Sequence, residues 1–148
     1  MSTSSSSSSM PGRASEPLGQ DSGKQKRILV VEDDDSVREY VRMVLEHAGY
    51  SVVTAPDGNG GLAEYRNDPD RIDLLLTDVV MPNRTGPELV ELIHRERPGL
   101  RVLFMSAYTG GTSSSKIAMP TGIPLIEKPF TMDGLLQAVN RVFSGRRG

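Results

Sequence analysis

The chain has 148 residues, 36% hydrophobic and 24% charged, a balance that fits one globular domain. It contains no cysteine, which excludes disulfides, thiolate metal sites and cysteine nucleophiles. The net charge of −2 lacks the basic excess of a nucleic-acid binder, and no apolar run approaches the ~20 residues of a membrane span.

Residues 1–26 open with Ser4 to Ser9 unbroken and continue through Pro11, Gly12, Pro17, Gly19 and Gly23. So little apolar surface cannot offset the ordering entropy, and a disordered tail is expected. The tail lacks the apolar core of a secretory leader, so the expected compartment is the cytoplasm. Residues 27–144 form the expected domain, and 145–148 a short basic tail with Arg146 and Arg147.

The first predicted strand, Ile28-Leu29-Val30-Val31, is apolar on both sides of its pleat and runs into acids. Val37, Val41, Val44, Leu45 and Ala48 recur at helical spacing, with Asp35 as a candidate N-cap and Gly49 as the stop. Tyr50 to Ala55 predicts a second strand. Asp57 is placed to cap a second helix, whose first turn Gly58, Gly60 and Gly61 weaken. Ile72 to Thr77 predicts a third strand ending at Asp78, and Thr85 with Glu88 has the spacing of a capping box for a third helix. Leu100 to Met105 and Ile123 to Ile126 predict the fourth and fifth strands. Between them, Gly110 to Pro120 is poor helix material, and a short or frayed helix is expected there. The last helix starts at Thr131 or Asp133 and carries Leu135, Leu136, Val139, Val142 and Phe143.

Strict alternation of strands and helices predicts a three-layer, doubly wound α/β fold with a five-stranded parallel sheet. Sites in such sheets form beyond the carboxyl ends of the strands. Here those ends deliver Glu32 and Asp33, Asp78, Ser106 and Lys128. Each residue taken alone has an ordinary reading: a helix cap, a turn, a loop hydroxyl or a solvated lysine. Their joint placement at one edge is what points to chemistry. Three carboxylates repel one another, and Lys128 with a hard divalent cation such as magnesium would balance them. A carboxylate in that setting can attack a phosphoryl group, while Lys128 and the Ser106 hydroxyl hold the transferred oxygens. His47 and His94 lie within predicted helices and are read as structural.

Four segments carry a resemblance: Ile28 to Asp34, Leu75 to Pro82, Phe104 to Tyr108 and Glu127 to Thr131. They resemble, in order and spacing, the receiver domains of two-component response regulators, over Arg27 to Ser144. Their wording looks most like receivers attached to hybrid sensor histidine kinases. The resemblance implies a flavodoxin-like strand order of 2-1-3-4-5, with Asp78 as the phosphoacceptor. It further implies Asp33 as direct magnesium ligand, Glu32 as second acid and the Val80 backbone carbonyl as a further ligand. Ser106 would be the switch hydroxyl, Lys128 the phosphoryl-pairing lysine, and Pro129 would follow a cis peptide.

The implied donor is a phosphohistidine on a sensor kinase or histidine phosphotransfer protein. The implied output is protein contact, with no direct nucleic-acid or membrane partner, and no enzymatic activity beyond self-catalysed acceptance and slow dephosphorylation. Two positions depart from the family pattern. Leu125 stands where an aromatic switch residue is common, and the Gly110 to Pro120 segment is Gly/Ser-rich. Ser106 is therefore expected to act by ordering that segment on phosphorylation. Tyr108, two positions past Ser106, is expected to slow hydrolysis. A stand-alone regulator, or a phosphate sink in a relay, is favoured over one domain of a longer protein. The alternatives are a pseudo-receiver, which would have lost an acid or the lysine, and a flavin- or nucleotide-binding enzyme. The latter would need a Gly- or Thr-rich phosphate loop where Glu32 to Asp35 stand.

Overall fold

A strand with no polar face has to be covered on both sides, and that requirement places the Ile28 to Val31 run in the sheet interior. The computed structural model describes residues 25–107, 120 and 122–145. In it β1 (Arg27–Val31) lies between β2 (Ser51–Ala55) and β3 (Leu74–Asp78). β4 (Arg101–Ala107) pairs with β3, and β5 (Leu125–Lys128) with β4. All pairings are parallel, and the order is β2-β1-β3-β4-β5, as expected. The expected tail at 1–24, Tyr108, the expected helix within 110–120 apart from Pro120, and residues 146–148 lie outside the described residues.

Consecutive residues of β1 serve opposite faces. Leu29 and Val31 join Tyr65 of α2 (Gly58–Asn67) and Leu89, Val90 and Ile93 of α3 (Gly86–Glu96) in one buried cluster. Ile28 and Val30 join Val41, Val44 and Leu45 of α1 (Asp35–His47) and Leu135 and Val139 of α4 (Met132–Ser144) in the other. The result is three layers with two separate cores. Each fully buried Leu or Ile in them contributes roughly 1.5–3 kcal/mol.

Several element ends differ from expectation, each for a local reason. Asp34, not Asp35, caps α1: its backbone is extended and its side chain accepts from the amides of Ser36 and Val37. Asp35 is the first helical residue and pairs with Arg38, three positions on. β3 starts at Leu74 rather than Ile72. Pro69–Arg71 forms a 3-10 turn, and Asp73 is held by a reciprocal exchange with the Arg27 backbone. β5 starts at Leu125, because Pro124 has no amide hydrogen and contributes only its carbonyl, to the Phe104 amide. β4 runs to Ala107, which puts Ser106 inside the strand. The capping box of Thr85 and Glu88 forms as expected, and Thr131 caps α4.

The glycines that weaken α2 as a helix are explained by packing. A Cβ on Gly61 would lie 2.7 Å from a Val31 methyl, so only glycine lets α2 sit this close to β1. Gly86 is tighter: its Cβ would collide with the Asp78 backbone carbonyl and lie 3.1 Å from the Phe104 ring. Gly86→Ala is expected to lower stability by about 1–3 kcal/mol, read by urea denaturation. An unchanged midpoint would show that the β3–α3 junction yields freely.

Candidate functional site

The site is assembled at the carboxyl edge of the sheet from three strand ends. At the end of β1 the Glu32 side chain is fully buried. One of its oxygens accepts from Lys128 Nζ at 2.6 Å, and the other from the Asp34 amide at 3.0 Å. Arg38 Nη1 donates to the Glu32 carbonyl at 2.8 Å and ties the first turn of α1 to the strand. Asp33 is exposed. The Asp34 carboxyl is held below the usual aspartate range by its bonds from the Ser36 hydroxyl and the Val37 amide.

Asp78 ends β3 and is 6% exposed. Its Oδ2 accepts from Lys128 Nζ at 3.1 Å, so one ammonium bridges two carboxylates of different strands. Lys128 ends β5, where the following Lys128–Pro129 bond is cis, as expected. Burial and the neighbouring Glu32 charge push the Asp78 carboxyl from its ordinary 3.8 up to about 7, with Lys128 partly opposing. Burial alone would pull the Lys128 ammonium down, but its bonds to Glu32 and Asp78 win and hold it above the ordinary lysine value.

Carboxylate oxygens of Glu32, Asp33 and Asp78 lie within 4.8 Å of one another. Three carboxylates against one ammonium leave two negative charges, the deficit that a hard divalent cation with oxygen ligands would fill. Asp33 is the exposed member and offers an entry side. The donor set therefore fits such a cation.

The other expected site residues are placed less directly. Ser106 is half-buried on β4, one step past Met105, the register partner of Asp78. Among the described residues, no hydrogen bond joins it to Asp78 or Lys128. The Val80 side chain is 54% exposed and Leu125 is 43% exposed at the start of β5. Tyr108 lies outside the described residues. His94 is structural, its Nε2 bonded to the Leu100 carbonyl.

One contributor escaped the sequence reading. The buried Thr77 hydroxyl donates to the Asp78 carbonyl at 3.0 Å and braces the backbone there. A polar residue inside an otherwise apolar strand was the available signal.

A parallel sheet of order 2-1-3-4-5 with helices on both faces defines the flavodoxin-like class of open α/β proteins. Within that class, the chain matches the response regulator receiver domain over residues 28–140 and belongs to that family. It is 30% identical over 117 residues to the response regulator receiver protein CpdR of Brucella abortus, covering 79% of this chain and 96% of CpdR. It is 37% identical over 123 residues to the CAI-1 autoinducer sensor kinase/phosphatase CqsS of Vibrio cholerae. That match covers 81% of this chain but 18% of CqsS, so the chain corresponds to one segment of that longer protein. Among solved structures it resembles the CheX–CheY–BeF3–Mg2+ complex of Borrelia burgdorferi, with a TM-score of 0.73 and 25% identity. The aligned part is 84% of this chain and 93% of that one. No helix among the described residues is long and apolar enough to cross a membrane.

Proposed function

We propose that this receiver domain accepts a phosphoryl group on Asp78 from a phosphohistidine of a sensor kinase or histidine phosphotransfer protein, with magnesium. The observation that carries this reading is the Asp78 carboxylate itself. It sits at the end of β3, bonded to Lys128 and within reach of Glu32 and Asp33. In the reaction an Asp78 carboxylate oxygen forms a bond to phosphorus as the phosphorus–nitrogen bond breaks and the imidazole leaves. When bound, the cation supplies positive charge against the carboxylates and the phosphoryl oxygens.

The chain's own residues do the rest. Lys128, already at Asp78, stays beside the transferred group and stabilises its charge. Glu32 anchors the Lys128 ammonium from the opposite side. Thr77 and Gly86 keep the Asp78 backbone in place. Ser106 is assigned as the hydroxyl that turns toward a transferred oxygen, Asp33 and the Val80 carbonyl as metal ligands, and Tyr108 and Leu125 as parts of the switch region. Acceptance is self-catalysed, so the domain is a signalling module rather than an enzyme with a separate substrate. It acts through protein contact on the cytoplasmic side, where an ATP-fed kinase works.

The CheY complex with BeF3 and Mg2+ supports the cation assignment by likeness. The test is intact-mass analysis after incubation with acetyl phosphate and magnesium. One phosphoryl group, about 80 Da by the chemistry of the transfer, is expected on the parent and none on Asp78→Asn. No addition to either protein, with no magnesium binding by titration, would overturn the assignment in favour of a pseudo-receiver.

A further inference from the structure

The loop that follows Asp78 is fastened to the start of α2 by a set of contacts that the phosphoryl chemistry does not require. The loop leaves β3 through the Val79 amide, which donates to the Met105 carbonyl, and it closes where the Gly86 amide donates to the Val79 carbonyl. Between these points lies Asn83, with φ of 59°, a left-handed backbone that asparagine adopts more readily than other non-glycine residues. The Arg84 amide donates to the Pro82 carbonyl at 2.6 Å and tightens the turn around Asn83.

Two asparagines and an arginine then cross-link this turn to α2. Asn83 Oδ1 accepts from the Asn59 amide at 3.2 Å. In return Asn59 Oδ1 accepts from Arg84 Nε at 3.2 Å and from Arg84 Nη2 at 3.1 Å. The exchange is reciprocal and uses the planar fork of the guanidinium, which a lysine cannot reproduce. Gly58 makes it possible. A Cβ there would lie 2.5 Å from Arg84 Cβ, so α2 meets the loop backbone to backbone.

We infer that Asn59, Asn83 and Arg84 form a latch that holds the loop after Asp78 in position, and so sets how tightly the acidic site holds its divalent cation. They are positioning residues: each acts through the loop backbone and none is placed at the reacting atoms. The cation part of this inference rests on the function proposed above, whereas the mechanical part does not. The loop carries Val80, whose carbonyl is the ligand assigned above, and loss of the groups that steady a metal ligand typically alters affinity by roughly 10- to 100-fold.

The experiment compares Asn59→Ala, Arg84→Ala, their double variant, Asn59→Asp and, as a control, Arg95→Ala, which breaks a surface pair with Glu91 on α3. Amide exchange over residues 79–86 is measured without metal, and magnesium affinity by titration. Each alanine variant is expected to speed exchange and weaken magnesium binding about tenfold or more. The double variant should be no worse than either single, because each alone removes the same Asn59–Arg84 bonds. Asn59→Asp keeps an oxygen acceptor for Arg84 and should restore parental behaviour.

Exchange in both alanine variants equal to that of Arg95→Ala would overturn the latch. Faster exchange with unchanged magnesium affinity would overturn its influence on the site. If the parent itself takes no phosphoryl group from acetyl phosphate, the proposed function fails. The exchange comparison still judges the latch in that case, so the two failures are told apart.

Discussion

Replacing Asp78 by asparagine is expected to stabilise the metal-free protein at pH 8 and to leave it unchanged near pH 4. The Asp78 carboxyl titrates near 7 in the fold, because of burial and the Glu32 charge, against an ordinary 3.8. A carboxyl whose value is raised by folding binds its proton more tightly in the native state. Its favourable contribution is therefore complete below about pH 4 and is lost as the pH rises through 7. At pH 8 the ionised carboxylate costs at most about 4 kcal/mol, and relaxation of the site around the charge brings the expected figure to about 2. Asparagine has the same shape and no charge, so it escapes that cost. Urea unfolding of both proteins in chelator from pH 4 to 8 reads the difference. A gap that does not change with pH would show that the carboxyl is not strained, and a parent more stable at pH 8 would reverse the argument.

The opposite result is expected at the other end of the ion pair. Lys128→Met should cost the metal-free protein about 3–5 kcal/mol at pH 8, since it strands two nearly buried carboxylates. Among the described residues, Lys128 is the cation within ion-pair distance of both. The cost should shrink toward pH 5, where Asp78 takes up a proton. Adding Glu32→Gln should recover part of the loss by removing the more deeply buried charge. A loss below about 1 kcal/mol would mean that water reaches the site and screens it as it would a surface pair. Phosphoryl incorporation should fall in the same variant if Lys128 has the role proposed for it, measured by intact mass after incubation with acetyl phosphate and magnesium.

Much of this molecule can be read from its residues, and the parts that cannot share a cause. The alternation of apolar runs and amphipathic stretches, together with the family resemblance, is enough to reach the strand order. The edge residues Glu32, Asp33, Asp78 and Lys128 are found because each directly follows or ends an apolar run. Capping is less secure. In a run of acids such as Glu32 to Asp35, composition does not say which one caps the helix; in the structure it is Asp34, whose backbone is extended. The glycines of α2 read as weak helix, because propensity measures the isolated segment while the reasons for Gly58 and Gly61 are Arg84 and the Val31 side chain opposite. The Asn59–Arg84 contact spans 25 positions and has no periodicity, so no pattern along the chain announces it.

β1 holds a last consequence. A strand alternating apolar and polar residues resists slippage, because a shift of one residue would carry its polar side into the core. β1 has no such safeguard: Ile28 to Val31 are all fully buried, and either set of side chains could serve either core. What makes a slipped alignment costly is at the two ends of the run. At one end the Arg27 amide meets the Asp73 carboxylate, and at the other Glu32 reaches Lys128. A slip by one residue would send Glu32 to the opposite face of the sheet, leaving a charge without its counterion. The acid that anchors Lys128 thus also marks the alignment of the central strand, and a variant at Glu32 loses both the anchor and the mark.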